Sequence, residues 1–455
     1  MKRMKYYVLA AVLLLCGTGL TTSCNADDTP VEPSAEEQEA MENRDELIRH
    51  LENDAKTLSQ IFNAASLNAT SQAYAQLQAL LMRDKNFISN MRTLFSTYAE
   101  KKSLLNLYPV KAGSELAKMG YVAYITVDNS GFGVQIIFDG KGGSRLLSAD
   151  HLEFIFPANI AGFGPTLCKL IINESADCYQ SVATFNDLKR LACINRLPKQ
   201  ITMTLNGFID NRELTLSETV VSLELPEKDS EYVSFDDATC KIVGKQSFYL
   251  NADDKSTLDF CLSMDKDDMS LDYGYTCNGA SVVDCEAQMQ LTQQEGFLSQ
   301  MSKNVFNIAD LKAVSIRTLD DLTLSGTITD GASFAEDFPT AIKNRQQTNS
   351  PDVLAGIVES LNQSCHLQLS CKEMTKPEDV GFCVVQKDKL YMIEPALKDL
   401  KTNDYIPISQ IVDVQTMENF DKPFNLSFTP GGNATGSALQ IYSTFLQMML
   451  LTSHR

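Results

Sequence analysis

Cysteine, histidine and clustered aspartate are the side chains through which this 455-residue chain could do chemistry. Beyond Cys16 and Cys24 lie ten cysteines: Cys168, Cys178, Cys193, Cys240, Cys261, Cys277, Cys285, Cys365, Cys371 and Cys383. Such residues can form disulfides, bind metal as thiolates or fill space as small buried hydrophobes. No pair has CxxC spacing and no histidine stands at zinc-finger spacing, so no structural zinc site is expected. In "CHLQLSC" the alternate residues Cys365, Leu367, Leu369 and Cys371 share one strand face, with His366, Gln368 and Ser370 on the other. Six residues at about 3.3 Å each hold these two cysteines roughly 20 Å apart. A disulfide tolerates about 7 Å between Cα atoms, so they should not pair. An even count still allows bridges elsewhere, and spacing alone leaves free and bridged readings both open.

The histidines are His50, His151, His366 and His454, and none lies in an HExxH, GxSxG or P-loop context. Cys365 and His366 point to opposite faces, so a Cys–His pair would have to be assembled across the fold. Carboxylates cluster at Asp236–Asp237, at Asp253–Asp254 and at Asp265, Asp267 and Asp268. Paired carboxylates could hydrolyse a glycosidic bond. Calcium would need an ordered oxygen loop, and none of these clusters follows the EF-hand order. The third joins two strand patterns and reads as a solvated hairpin turn. No catalytic, cofactor-binding or metal-ligating residue is assigned from these patterns, and no cofactor is expected.

The formal net charge is −19, becoming about −22 if Lys2, Arg3 and Lys5 are removed with a leader, a balance that repels nucleic acid. Those three cations precede the apolar run Tyr6–Cys16, which is too short to span a membrane and has the length of an export signal. "GTGLTTSC" follows, with small residues leading to Cys24, whereas Cys16 lies inside the apolar run. The segment resembles a lipoprotein signal with Leu20, Thr21 or Thr22, Ser23 and Cys24 as a loose lipobox. The resemblance implies cleavage of residues 1–23, lipidation of Cys24 and membrane attachment through that residue. Residues 24–38 are acidic and poor in large apolar groups, as in a flexible tether. Asp27 and Asp28 resemble the acidic tag of surface-exported lipoproteins, which implies an outer-membrane, surface-exposed location.

The elements that would carry these residues are expected to be α+β. Ile48, Leu51, Ala55, Leu58, Phe62 and Ala65 form one helical seam; Tyr74, Leu77, Leu81, Asp84, Ile88, Met91, Phe95 and Tyr98 form another. "SLNATSQ" between them supplies turn and cap residues, so an antiparallel helical hairpin, or a coiled coil joining copies of the chain, is expected. "GYVAYITVDNSGFGVQIIFDGKGG" then alternates with period two and predicts a β-hairpin. Gly120, Tyr121, Ile136, Ile137, Gly140, Lys141, Gly142 and Gly143 resemble the N-terminal module of Bacteroidetes surface lipoproteins, with Gly142 where an aspartate is usual. That resemblance implies a display stalk over residues 39–143.

Residues 144–455 mix many strand patterns with scattered helices and predict a mainly antiparallel sheet. "FNDLKRLACINRL" and "SPDVLAGIVESLNQ" are among the expected helices. "MTLNGFIDN" and "LTLSGTITDG" echo each other, as in two related halves. The expected function is a lipid-anchored envelope protein that binds or scaffolds a partner without catalysis. A hydrolase using paired carboxylates and a carrier of lipid or small hydrophobic ligands are the alternatives.

Overall fold

The computed structural model describes residues 34–62, 65–83, 105–128, 133–139, 144–160, 163–174, 179–185, 188, 190–225, 232–234, 240–249, 255–264, 267–291, 308–331, 350–387, 389–399 and 402–412. They fall into two compact units, one holding residues 34–62 and 267–412 apart from Asp267, the other residues 65–267. Strands dominate and nearly all neighbours in the sheets are antiparallel, so the chain is a mainly β member of the α+β class. Helix α1 (Ala35–Phe62) belongs to the first unit and is described with it.

The other unit opens with α2 (Ala65–Arg83), followed by β1 (Leu105–Pro109), the single-turn α3 (Glu115–Lys118) and β2 (Ala123–Asp128). Then come β3 (Gly133–Phe138), β4 (Ser144–Ala149), β5 (Leu152–Ile160), β6 (Gly164–Glu174), β7 (Tyr179–Phe185) and β8 (Leu191–Pro198). It ends with β9 (Gln200–Ile209), β10 (Arg212–Glu224), β11 (Val233–Ser234), β12 (Cys240–Tyr249) and β13 (Lys255–Met264). Strands β13-β12-β10-β9-β6-β5-β3-β4 lie side by side, and only the β3–β5 pair is parallel. A smaller sheet, in the order β1-β2-β8-β7-β11, packs around Leu116, Ala183, Ile194 and Tyr232.

Three expectations fail in this unit. The predicted β2–β3 hairpin does not form: β2 pairs with β1 and β8, and β3 with β4 and β5. Period two identifies a strand but carries no information about its partner. Residues 191–197 of "FNDLKRLACINRL" lie in strand β8 instead of a helix, because β2 and β7 flank them on either side. The turn expected at "SLNATSQ" is helical, and its Thr70 and Ser71 are buried, with Thr70 Oγ1 donating to the Leu216 carbonyl at 3.2 Å. Thr70 thus faces β10 and not solvent.

The first unit continues with β14 (Asp268–Cys277), β15 (Ala280–Leu291), β16 (Ile308–Thr318) and β17 (Leu322–Ile328). After them come α4 (Pro351–Ser364), β18 (Cys365–Ser370), β19 (Glu378–Lys387), β20 (Leu390–Lys398), β21 (Tyr405–Pro407) and the short α5 (Ile408–Ile411). Strands β14 to β21 form an antiparallel meander in sequence order. Helix α4 is held on it by Asn362, whose side chain donates to the Phe382 carbonyl at 2.9 Å and accepts from the Phe382 N–H at 2.7 Å.

Helix α1 lies against β17 and buries Leu47, Leu51, Ala55 and Leu58. Arg44 reaches from it to Glu378, 2.7 Å away, and donates to the Lys398 carbonyl at 2.9 Å. Two expectations change here. The tether ends sooner than residue 38, since the chain is helical from Ala35. The seam of α1 is covered within its own unit, so this helix is neither a free-standing stalk nor an available coiled-coil face. It also belongs to a different unit from α2, with which a hairpin was expected.

Candidate functional site

The buried stripe of α1 is wider than its apolar seam. It runs Leu47, His50, Leu51, Asp54, Ala55 and Leu58, so two ionisable residues one turn apart sit where an amphipathic helix normally carries apolar ones. Each has partners from β16, β17 and their connection. Asp54 accepts from Thr318 Oγ1 at 3.4 Å at the end of β16. His50 Nδ1 contacts the carboxylate of Asp321, which stands just before β17. The connection carries Leu319 and Asp320 at φ 50° and 56°, a left-handed conformation that is uncommon for a bulky leucine. The other Asp321 oxygen accepts from the Lys372 N–H at 3.4 Å.

The segment after β18 supplies the remaining side. Cys371 is buried, and the carboxylate of Glu373 contacts His50 Nε2. The donor atoms of His50, Cys371 and Glu373 all lie within 4.8 Å of one another. Arg49 stands at the solvent side of the group: its Nη2 lies 2.9 Å from His50 Nε2, 3.2 Å from Glu373 Oε2 and 2.5 Å from Glu46 Oε2.

The electrostatics follow from this placement. Burial opposes charge on His50, but its hydrogen bond to Asp321 and the charges of Asp321 and Glu373 together raise its pKa above the ordinary value. Burial, followed by the charge of Asp321, pushes Asp54 up to about 7. Burial also raises the Cys371 thiol, and the negative charges of Asp321 and Glu373 add to that. A nucleophilic thiolate needs an electropositive setting, and this one is the opposite. What it offers is nitrogen, sulfur and oxygen donors converging on a position that favours a cation.

Other candidates stand apart. Asp268 at the start of β14 pairs with Lys312 at 2.5 Å on the surface, while Asp236, Asp237, Asp253, Asp254 and Asp265 lie outside the described residues, as do Cys24, Asp27, Asp28 and His454. His151 pairs with the exposed Asp150 at 2.7 Å, and His366 is exposed. Cys168, Cys193, Cys261, Cys277, Cys285, Cys365, Cys371 and Cys383 are free thiols, so Cys365 and Cys371 do not bridge, and β18 buries Cys365, Leu367 and Leu369 while exposing His366 and Gln368.

The sequence reading assigned no role to His50 and placed Cys371 only on a strand face. One signal was present: His50 and Asp54 interrupt the helical stripe at positions that ought to be buried. Nothing in the linear order joins them to Asp321, Cys371 or Glu373, some 270 to 320 residues later. No family model, curated protein or solved structure matches the chain.

Proposed function

We propose that this protein is a lipid-anchored component of the cell envelope, attached to the outer membrane through Cys24 and exposing a β-rich body that binds a partner non-covalently. The leader residues and the small-residue run before Cys24 support the anchor. Several acyl chains, at about 0.8 kcal/mol per buried methylene, would hold it essentially permanently. Among the described residues no helix is long and apolar enough to cross a membrane. Residues 24–34, ahead of α1, would supply the reach from the bilayer.

The observation that carries the binding role is β1, which among the described residues is an edge strand of the smaller sheet. All five of its residues are exposed, including Leu105, Leu107 and Tyr108, and the exposed Val122 and Ile125 lie nearby in or beside β2. Leu107 is 73% and Val122 86% exposed. An apolar strand edge with unpaired backbone groups is a ready template for an added strand, and proteins normally cover or charge such edges. A photo-crosslinking residue at Leu105, in cells expressing the full chain, tests this. A discrete adduct that vanishes with Leu107→Lys placed beside a crosslinker at Leu105 is expected; capture of no second molecule would overturn the reading. For the anchor, Cys24→Ser should move the protein from the membrane to the soluble fraction and abolish fatty-acid labelling. Labelling retained in that variant would refute it.

The paired-carboxylate hydrolase finds one supporting observation, the raised pKa of Asp54 beside Asp321. Against it, Asp54 is 6% exposed on the buried face of α1 and hydrogen-bonded to Thr318, a setting with little room for a substrate.

A further inference from the structure

The arrangement of α1, the β16–β17 connection and the segment after β18 has a feature that an ordinary ion-pair network does not need. Glu373, Arg49 and the more distant Glu46, 3.8 Å away, all converge on His50 Nε2, and a buried thiol stands beside them. With Asp321 as the partner of Nδ1, Nε2 faces the carboxylate of Glu373, and the position between them is filled by the Nε2 proton when His50 is charged and is open to another cation when it is neutral. Arg49 also stands there, but its side chain is 53% exposed and can swing into solvent.

We infer that His50 Nε2, Cys371 Sγ and a carboxylate oxygen of Glu373 form a site for a borderline-soft divalent ion, with zinc the best match, and that Asp321 is the residue that orients His50. Zinc bonds of about 2.0–2.3 Å in a tetrahedron place ligand atoms about 3.5 Å apart, so the donors, all within 4.8 Å, lie in range, although His50 Nε2 and the Glu373 carboxylate, now in direct contact, must part to admit the ion. Calcium and magnesium take oxygen ligands, whereas a set of one nitrogen, one sulfur and one oxygen suits zinc. A carboxylate on the far nitrogen is the usual partner of a metal-bound histidine, because it fixes the tautomer and ring direction. The ion displaces the Arg49 guanidinium, the Cys371 S–H bond breaks as the S–metal bond forms, and the proton passes to solvent. The fourth position is left for water or for Glu46. Such a site would tie α1 to two loops of its own unit.

Zinc and cobalt(II) titration of the mature, chelator-treated chain tests this, with a competing chromophoric chelator reporting zinc affinity and circular dichroism confirming that each variant is folded. One ion per chain is expected, with a thiolate-to-cobalt charge-transfer band. Cys371→Ser should abolish that band and weaken zinc at least 100-fold, as should His50→Gln. Asp321→Asn should weaken it about 10- to 100-fold while the band remains. Arg49→Gln should bind as tightly as the unaltered chain or more tightly, since a competing cation is gone. Absence of stoichiometric zinc in the unaltered chain, a cobalt spectrum without the thiolate band, or loss of binding in Arg49→Gln would each overturn the assignment and leave an ion-pair network alone.

Discussion

Helices α1 and α2 both lie on sheets of their own units, yet they are held by different interactions. Along α1 the contact carries ionisable groups: Arg44 to Glu378, His50 to Asp321, and Asp54 to the Thr318 hydroxyl. Along α2 it carries size and hydroxyls, with Ala69, Ala73, Tyr74, Leu77 and Leu80 buried and Thr70 bonded to the Leu216 carbonyl. Burial pushes Tyr74 up to about 12, partly offset by the neighbouring Thr219 and Ser217 hydroxyls. Apolar packing is non-directional and tolerates adjustment, whereas buried charges require specific partners. The contrast teaches that α2 has the composition of a structural support, while α1 combines that role with groups able to bind something.

The largest effect that could break this contrast is expected at Arg44. Replacing Arg44 with Ala leaves the nearly buried Glu378 without its partner and should cost about 3–5 kcal/mol in urea unfolding of the unit that contains it. A loss below about 1 kcal/mol would mean that α1 is held by its apolar seam alone, like α2.

Next in size is Asp54, with chelator present so that no metal intervenes. In the unfolded chain an aspartate loses its proton near pH 4, whereas the folded chain retains this one up to about 7. The unfolded state therefore binds fewer protons in that window, and stability falls as pH rises through it. Asp54→Asn removes the penalty while keeping an acceptor for Thr318. It should stabilise by about 2–3 kcal/mol at pH 8 and change little near pH 4. An equal effect at both pH values would remove the electrostatic distinction between the helices.

A smaller effect sharpens the α2 side. The hydroxyls of Tyr74, Ser217 and Thr219 are buried without a well-formed hydrogen bond. Tyr74→Phe should thus be neutral or stabilising by up to about 1 kcal/mol in a thermal melt, since an unpartnered polar group is removed. A destabilisation of 2 kcal/mol would show that this hydroxyl is bonded after all and that α2 also depends on polar pairing. The smallest expected change is none: thiol titration of the denatured, non-reduced chain should return at least the eight described free cysteines, Cys371 among them. Fewer than eight would reveal a bridge among the described cysteines, and a peptide map placing Cys371 in it would undercut a free Cys371.

Much of this architecture is legible in the residues. Alternation marks β5, β9, β10, β17 and β18, and the 3.6-residue period marks α1, α2 and α4, because burial on one face imposes those periods on any amphipathic element. Strands β12, β15, β16 and β19 are less visible, since charged and polar residues such as Lys245, Glu286, Lys312 and Gln386 interrupt their apolar pattern. Strand pairing is not legible in "GYVAYITVDNSGFGVQIIF", where two correctly placed strands join different sheets. Side-chain alternation is the same whichever neighbour supplies the backbone hydrogen bonds.

The sequence by itself determined the class of this protein: its acidic balance, its strand-rich pattern, its helix periods and the alternation that buries Cys365 while exposing His366. These depend on local chemistry, which composition and spacing record directly. Only the tertiary structure decided that His50, Asp321, Cys371 and Glu373 meet. Their meeting requires α1 to lie on β17 and the connections beside it, and that contact follows from long-range packing of the whole unit, for which no short stretch of residues carries a code.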